Sequence, residues 1–223
     1  MKNFPSHSPD PGLLVWTLPD ELSRGNHEAA VALVDAYYAE TDGRVSYSGA
    51  RFDVLDGGGD RAGVHDRFTY ADQVAMGLVS APLQRHSILM LLGEHEPEVS
   101  LEINRLLRIL PTDLDLVHAD DAVLDTADEV WKLLDDIDGI AWVTASKLLA
   151  RKRPRLIPLI DKVVSDTLRH PRDRKFWRRL RAYLRTDDLH ARLLRIRDSS
   201  DAPAETSAIR IFDIIVWMVG KGR

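Results

Sequence analysis

A mainly α fold is what this sequence of 223 residues predicts. Three observations carry that expectation. Apolar residues recur at helical spacing in one segment after another. Residues that start and stop helices bracket those segments: Thr69 and Asp72 three apart, Thr126, Gly139, Pro154 and Pro158. One stretch, residues 44–66, reads differently, as a short irregular and partly extended insertion.

In chain order, Asn26 caps a helix running to about Ala39, with Ala29, Ala30, Leu33, Val34 and Tyr37 on one side. Arg44–Phe52 alternates weakly, and Gly57, Gly58 and Gly59 follow. Thr69 and Asp72 form a loose capping-box pattern opening a helix to about Val79. Helices follow at about 82–92 and 97–109, the second stopping before Pro111. Thr126 is the expected cap of the next helix, which carries Ala127, Val130, Trp131, Leu133 and Leu134 and ends at Gly139. Another runs from about Trp142 to Ala150, and one opens near Asp161 after two prolines. Helices at about 173–185 and 187–197 precede a last one from about Thr206. Its Ile209, Ile211, Phe212, Ile214, Ile215, Trp217 and Met218 make a wide apolar face that belongs deep between neighbours. Residues 1–20 read as a flexible lead-in and 21–223 as a single folded unit.

The chain holds no cysteine, which excludes disulfides, cysteine-ligated zinc and iron–sulfur clusters and fits a cytoplasmic location. No apolar run approaches the roughly 20 residues of a membrane span. The N-terminus lacks the apolar core of a signal peptide. A net charge of −5 hides an asymmetry. Residues 1–140 carry 10 Lys+Arg against 26 Asp+Glu, and residues 141–223 carry 20 against 9. The basic part either meets a polyanion or neutralises the acidic part across an internal contact.

The segment with the most chemistry is 127–169. Two helices flank a tight turn, with Ile137 and Ile140 as its apolar anchors and Gly139 between them. Such a turn leaves the amides of Gly139, Ile140, Ala141, Trp142, Val143 and Thr144 at a helix start, where they and the helix dipole suit a phosphate. Lys152 and Arg153 follow in the next loop, and residues 147–185 carry 14 Lys+Arg against 3 Asp+Glu. These are expected phosphate contacts, with a solvated basic face as the alternative.

This stretch resembles the helix-hairpin-helix (HhH-GPD) DNA glycosylase superfamily, which includes endonuclease III-like and 8-oxoguanine glycosylase-like enzymes. The family pattern Leu-Pro-Gly-Val-Gly-x-Lys-Thr-Ala is matched here by Ile137-Asp138-Gly139-Ile140-Ala141-Trp142-Val143-Thr144-Ala145. The family's essential aspartate opens the helix after a proline-containing segment. Here Pro158-Leu159-Ile160-Asp161 stands in that place, with Asp161 18 residues after Val143. The chain as a whole also resembles a bacterial protein family of no assigned function. The resemblance implies a two-subdomain helical glycosylase-like fold with the active cleft between the subdomains, and Asp161 as the catalytic carboxylate. Val143 stands where many members have a lysine that attacks the sugar. The match therefore implies a monofunctional enzyme that hydrolyses the bond and leaves an abasic site. Ala141 replaces the second glycine of the turn.

The residue types suit that chemistry. Breaking a base–sugar bond builds positive charge on the deoxyribose, which a fixed carboxylate stabilises while orienting water. Asp161 also reads simply as a helix cap, and the two roles are compatible. Tyr47, Phe52, Trp142 and Lys147 are candidates for the slot that receives a flipped base, with a core role as the alternative for the aromatic residues and a phosphate-binding or solvated lysine as the preferred alternative for Lys147. The acidic residues at 53, 56, 60 and 66 match no cation loop, so no metal and no cofactor are expected. The expected activity is a monofunctional DNA glycosylase, for repair or for defence against modified DNA, acting as a monomer on double-stranded DNA with a flipped base, in a nucleoid-associated setting. The competing reading is a helix-hairpin-helix module that binds DNA without chemistry.

Overall fold

The computed structural model describes residues 11–13, 15–171 and 173–223. Ten α-helices make up nearly all its regular structure among the described residues: α1 His27–Tyr38, α2 Tyr70–Leu78, α3 Arg85–Leu92, α4 Pro97–Ile109, α5 Asp121–Asp135, α6 Trp142–Lys152, α7 Lys162–Thr167, α8 Phe176–Leu184, α9 Leu189–Asp198 and α10 Ala208–Gly220. One two-stranded antiparallel ribbon, β1 Glu40–Thr41 with β2 Arg44–Val45, precedes the irregular segment. Among the described residues no helix is long and apolar enough to cross a membrane.

The helices fall into two packing groups. α4 packs on α3 and α5, and α6 packs on α5 and α2. α10 packs on α1, α7 and α9, and α8 on α9. A single apolar core runs through both groups, from Ala75 and Leu107 on one side to Ile211 and Phe212 on the other. α10 lies deep in the second group, as its wide apolar face required, with Ile211, Phe212, Ile215 and Val216 fully buried.

Local chemistry sets the helix starts. Thr69 and Asp72 make a reciprocal capping box, with Asp72 Oδ2 accepting from the Thr69 amide at 2.8 Å. Asp161 caps α7, its Oδ1 accepting from the Val164 amide at 2.9 Å. The cap expected at Thr126 is elsewhere. α5 opens five residues earlier, where Asp120 accepts from the Val123 amide at 2.9 Å, and Thr126 bonds back to the Ala122 carbonyl inside the helix. Asn26 precedes α1 without capping it, and its amide nitrogen instead donates to the Asp20 carbonyl.

The expected lead-in needs correcting over its later residues. Residues 1–10 lie outside the described residues. Trp16, however, is buried, stacked on Tyr183 at 5.3 Å between ring centres, and its amide donates to the Tyr183 hydroxyl at 2.7 Å. Its indole N–H reaches His170 at 3.0 Å. A tryptophan finds this much burial even in a segment whose composition reads as loop.

The irregular segment is held by buried cations. Asp72 pairs with Lys152 at 2.5 Å and with Arg151 at 3.2 Å, all three being essentially without exposure. Arg151 donates to the carbonyls of Phe52, Asp53 and Leu55, and Lys152 to those of Gly59 and Val64. Breaking a buried pair by removing one partner leaves an uncompensated charge. Asp72→Ala is expected to cost about 3–5 kcal/mol. Urea denaturation measures it, and a loss below about 1 kcal/mol would show that the carboxylate is dispensable.

Candidate functional site

A cleft of about 350 Å³ opens beside Asp161. Its walls come from α1, the segment after β2, the end of α2, and from α6, α7 and α10. Tyr47 stacks on Tyr37 at 5.4 Å, and Trp217 meets both rings edge-on, at 5.4 Å from Tyr47 and 6.3 Å from Tyr37. Gly49 sits against that wall, and a Cβ there would lie 2.3 Å from the Tyr37 hydroxyl, so the chain passes this close only as glycine. The result is an aromatic side, two stacked tyrosines with a tryptophan edge-on to both, and a polar side.

The polar side is built from three elements. Asp161 stands at the start of α7 with one carboxylate oxygen fixed by its cap. Lys147 of α6 is buried along its length, and its Nζ donates to the Val79 carbonyl at 2.8 Å. Burial pulls this ammonium below the ordinary lysine range, while neighbouring Asp161 acts in the opposite sense. On α10, Arg210 holds Asp53 with two hydrogen bonds, at 2.5 and 2.9 Å, and reaches Asp213 at 3.3 Å. Asp213 in turn accepts from the Leu159 amide at 2.6 Å, which ties α10 to the turn before Asp161.

The hairpin lies on the other side of α6 and α7. Ile137 and Ile140 are buried and pin the turn, and the Ile140 amide donates to the Ile137 carbonyl at 2.9 Å. Gly139 has φ +82°, and a Cβ there would lie 2.8 Å from Ser87 Oγ, so glycine is needed for both conformation and space. Ala141 occupies the cap position of α6 without a side-chain cap, which leaves the amides of Trp142, Val143 and Thr144 for an external acceptor. Ile140, Ala141, Trp142 and Val143 border a second, larger cleft of about 880 Å³ together with Lys162 and Arg174.

Of the residues named from sequence, Asp161, Lys147 and Tyr47 meet in the first cleft. The solvated alternative for Lys147 does not hold. Trp142 is 45% exposed and belongs to the hairpin side instead. Val143 borders that side too, while Lys147, one turn on, faces Asp161.

Three expectations are corrected. Lys152 and Arg153 are fully buried and cannot reach a phosphate. Lys152 serves Asp72 and two carbonyls, and Arg153 donates to the carbonyls of Leu107, Leu110 and His65. Phe52 is core, packed under the guanidinium groups of Arg151 and Arg210, and does not line the cleft. Much of the basic stretch 174–185 is paired internally. Arg178 binds Asp125 and Asp128, Arg181 binds Asp121, Arg179 binds Asp173, and Arg185 donates to the Val117 and Ala119 carbonyls. Arg172 lies outside the described residues.

Tyr37, Trp217, Arg210 and Asp213 were not singled out as site residues. The available signal was Arg210 and Asp213, three apart in an otherwise apolar helix, since charges on a buried face demand a partner or a purpose.

Lys147 yields a pH test. Its folded value is lowered, so below about pH 10.4 there is a window in which the unfolded chain binds the extra proton and stability rises with pH. The native protein is expected to gain stability relative to Lys147→Met as pH rises from about 8 to 10. Denaturant midpoints for the two proteins measure it, and a gap that stays constant with pH counts against the buried ammonium.

No curated protein and no solved structure matches the chain. A family model, described as a family of unknown function (DUF6308), matches residues 30–220, and the chain belongs to that family.

Proposed function

We propose that the protein is a monofunctional DNA glycosylase of the helix-hairpin-helix type, hydrolysing the N-glycosidic bond of a base flipped into the Asp161 cleft. One observation carries the reading. Asp161, the residue expected from sequence to be catalytic, borders an open cleft with an aromatic wall, and α6, which lends Lys147 to that cleft, begins with uncapped amides beside the second cleft. A carboxylate under solid protein would have ended the argument.

The chemistry assigns each group a role. The cap bond takes Asp161 Oδ1, so Oδ2 is the atom that orients water and faces the cation developing on the sugar. The Asp161 carboxylate in turn favours the charged form of neighbouring Lys147. Tyr47 supplies a ring face on which a base stacks, with Trp217 edge-on beside it. The strand is held by the amides of residues 142–144, with Lys162 and Arg174 bordering the same cleft. Lys152 and Arg153 have no part in this grip.

Asp161→Asn is expected to lower abasic-site formation by about 10²–10⁴-fold. Alkaline cleavage of duplexes carrying a panel of modified bases reads it out. Duplex binding without product on the whole panel would return the protein to the non-catalytic reading.

Thr144→Glu tests the hairpin separately. An acidic side chain in the first turn of α6 favours the helix through its dipole but repels a phosphate at the same amides. Weaker duplex affinity at low salt is expected, with the melting temperature unchanged or raised. Native affinity in this variant would remove the hairpin as the docking element.

A further inference from the structure

Asp213 is a polar group of the cleft that the protein itself leaves incompletely partnered. It is 4% exposed and borders the cleft from α10. Its Oδ2 accepts from the Leu159 amide and from Arg210, while Oδ1 is buried with no hydrogen-bond partner among the described residues. Buried carboxyl oxygens are ordinarily satisfied, so one that is not, beside an open cleft, points to a ligand.

The neighbours fix what Oδ1 offers. Arg210 is the guanidinium of this cluster, and Asp53 already holds it in bidentate fashion. Arg210 is thus shared between half-buried Asp53 and buried Asp213, and its two bonds to Asp53 leave it only a long one to Asp213. Burial drives the Asp213 carboxyl well above its usual range, Arg210 and the Leu159 amide offset this only in part, and Asp53 and Asp161 push the same way as burial. Tyr37 from α1, itself held neutral by burial, Tyr47, Lys147 from α6 and Lys221 after α10 are further titratable groups of the same cleft. Because Oδ2 accepts from N–H donors, the proton of the neutral acid belongs on Oδ1. The cleft is therefore bordered by an O–H donor from Asp213 and the remaining N–H donors of Lys147, together with the rings of Tyr37, Tyr47 and Trp217.

We propose that the cleft selects an oxo-substituted planar heterocycle, a nucleobase whose carbonyl oxygens accept from Asp213 Oδ1 and Lys147 Nζ, over its amino-substituted counterpart. An exocyclic amino group at either position sets donor against donor and leaves both protein groups unsatisfied. The proposal rests on the glycosylase reading only in taking the heterocycle to arrive on DNA, and it is tested without DNA.

Uracil and hypoxanthine are titrated against cytosine and adenine by calorimetry from about pH 6 upward, as far as the fold holds. The oxo pair is expected to bind at least about tenfold tighter than the amino pair. Hypoxanthine binding to the native protein is expected to weaken across the pH at which Asp213 ionises, which burial places well above the usual carboxylate range. Asp213→Asn keeps an acceptor for Leu159 and a donor toward the cleft, so it should retain binding and lose that pH dependence. Asp213→Leu should lose about tenfold. Equal affinity for the two pairs, binding of neither, or a native pH profile in Asp213→Asn overturns the proposal. The two readings fail separately. Oxo-base binding with no abasic sites in DNA keeps this proposal and sinks the glycosylase, whereas release of amino-bearing bases alone does the reverse.

Discussion

Arg151, Lys152 and Arg153 lie side by side at the buried end of α6, and nearly every feature of the cleft depends on where they point. Three cations taken out of water are costly unless charge and hydrogen bonds surround them. Asp72 supplies the charge for two of them. The rest comes from carbonyls at residues 52–65 and at the end of α4, groups that an irregular segment cannot satisfy for itself. The helix dipole of α6 adds to the attraction, since positive side chains are favoured near a C-terminus. Burial still lowers Arg153 to about 10, outweighing nearby Asp60 and Asp66. The exchange is mutual: the loop has no ladder of its own, and the cations have no solvent. Gly59 completes the fit, because a Cβ there would lie 2.5 Å from the Arg151 carbonyl oxygen.

That anchoring brings residues distant in sequence to one place. With Phe52, Asp53 and Leu55 tied to Arg151, the Asp53 carboxylate meets Arg210 and the preceding turn sets Tyr47 against Tyr37 and Trp217. Arg210 then reaches Asp213, and Asp213 holds the Leu159 amide two residues before the cap of α7. A continuous chain of hydrogen bonds thus runs from Asp72 to the turn that positions Asp161. Each link is buried or half-buried, where losing a partner costs more than on the surface.

The elements legible in the sequence were those written in local chemistry. The capping box of Thr69 and Asp72, the turn at Gly139 and the helix opened by Asp161 depend on residues three or four apart, and each stands where it was expected. What stayed hidden depends on distant partners. Nothing beside Lys152 and Arg153 distinguishes a phosphate contact from a support for a loop some 90 residues earlier, because both uses need a donor at a helix end. Trp16 looked like part of a lead-in because its partners, His170 and Tyr183, are more than 150 residues away. Thr126 looked like a cap because Asp120 and Asp121 offer the stronger start only one turn and a half before it.

The charge asymmetry resolves in the same long-range way, and it bears on how DNA would be held. Arginines of α8 reach the aspartates of α5 across the boundary between the two helix groups, so the acidic and basic parts of the chain neutralise one another. A basic stretch spent on internal pairs leaves few free cations for a polyanion, and nucleic-acid affinity by counterion release scales with the number of phosphates actually neutralised. On the proposed reading, binding would lean on main-chain amides and the dipole at the start of α6, supported by side chains at the rim of the larger cleft. Such contacts fix position more than they add affinity. Selectivity in this arrangement falls to the smaller cleft, where few groups are exposed and each unsatisfied one is costly. The division follows from the fold: α6 offers amides at its first turn and Lys147 in its middle, and its last residues, buried against the loop, keep both in register.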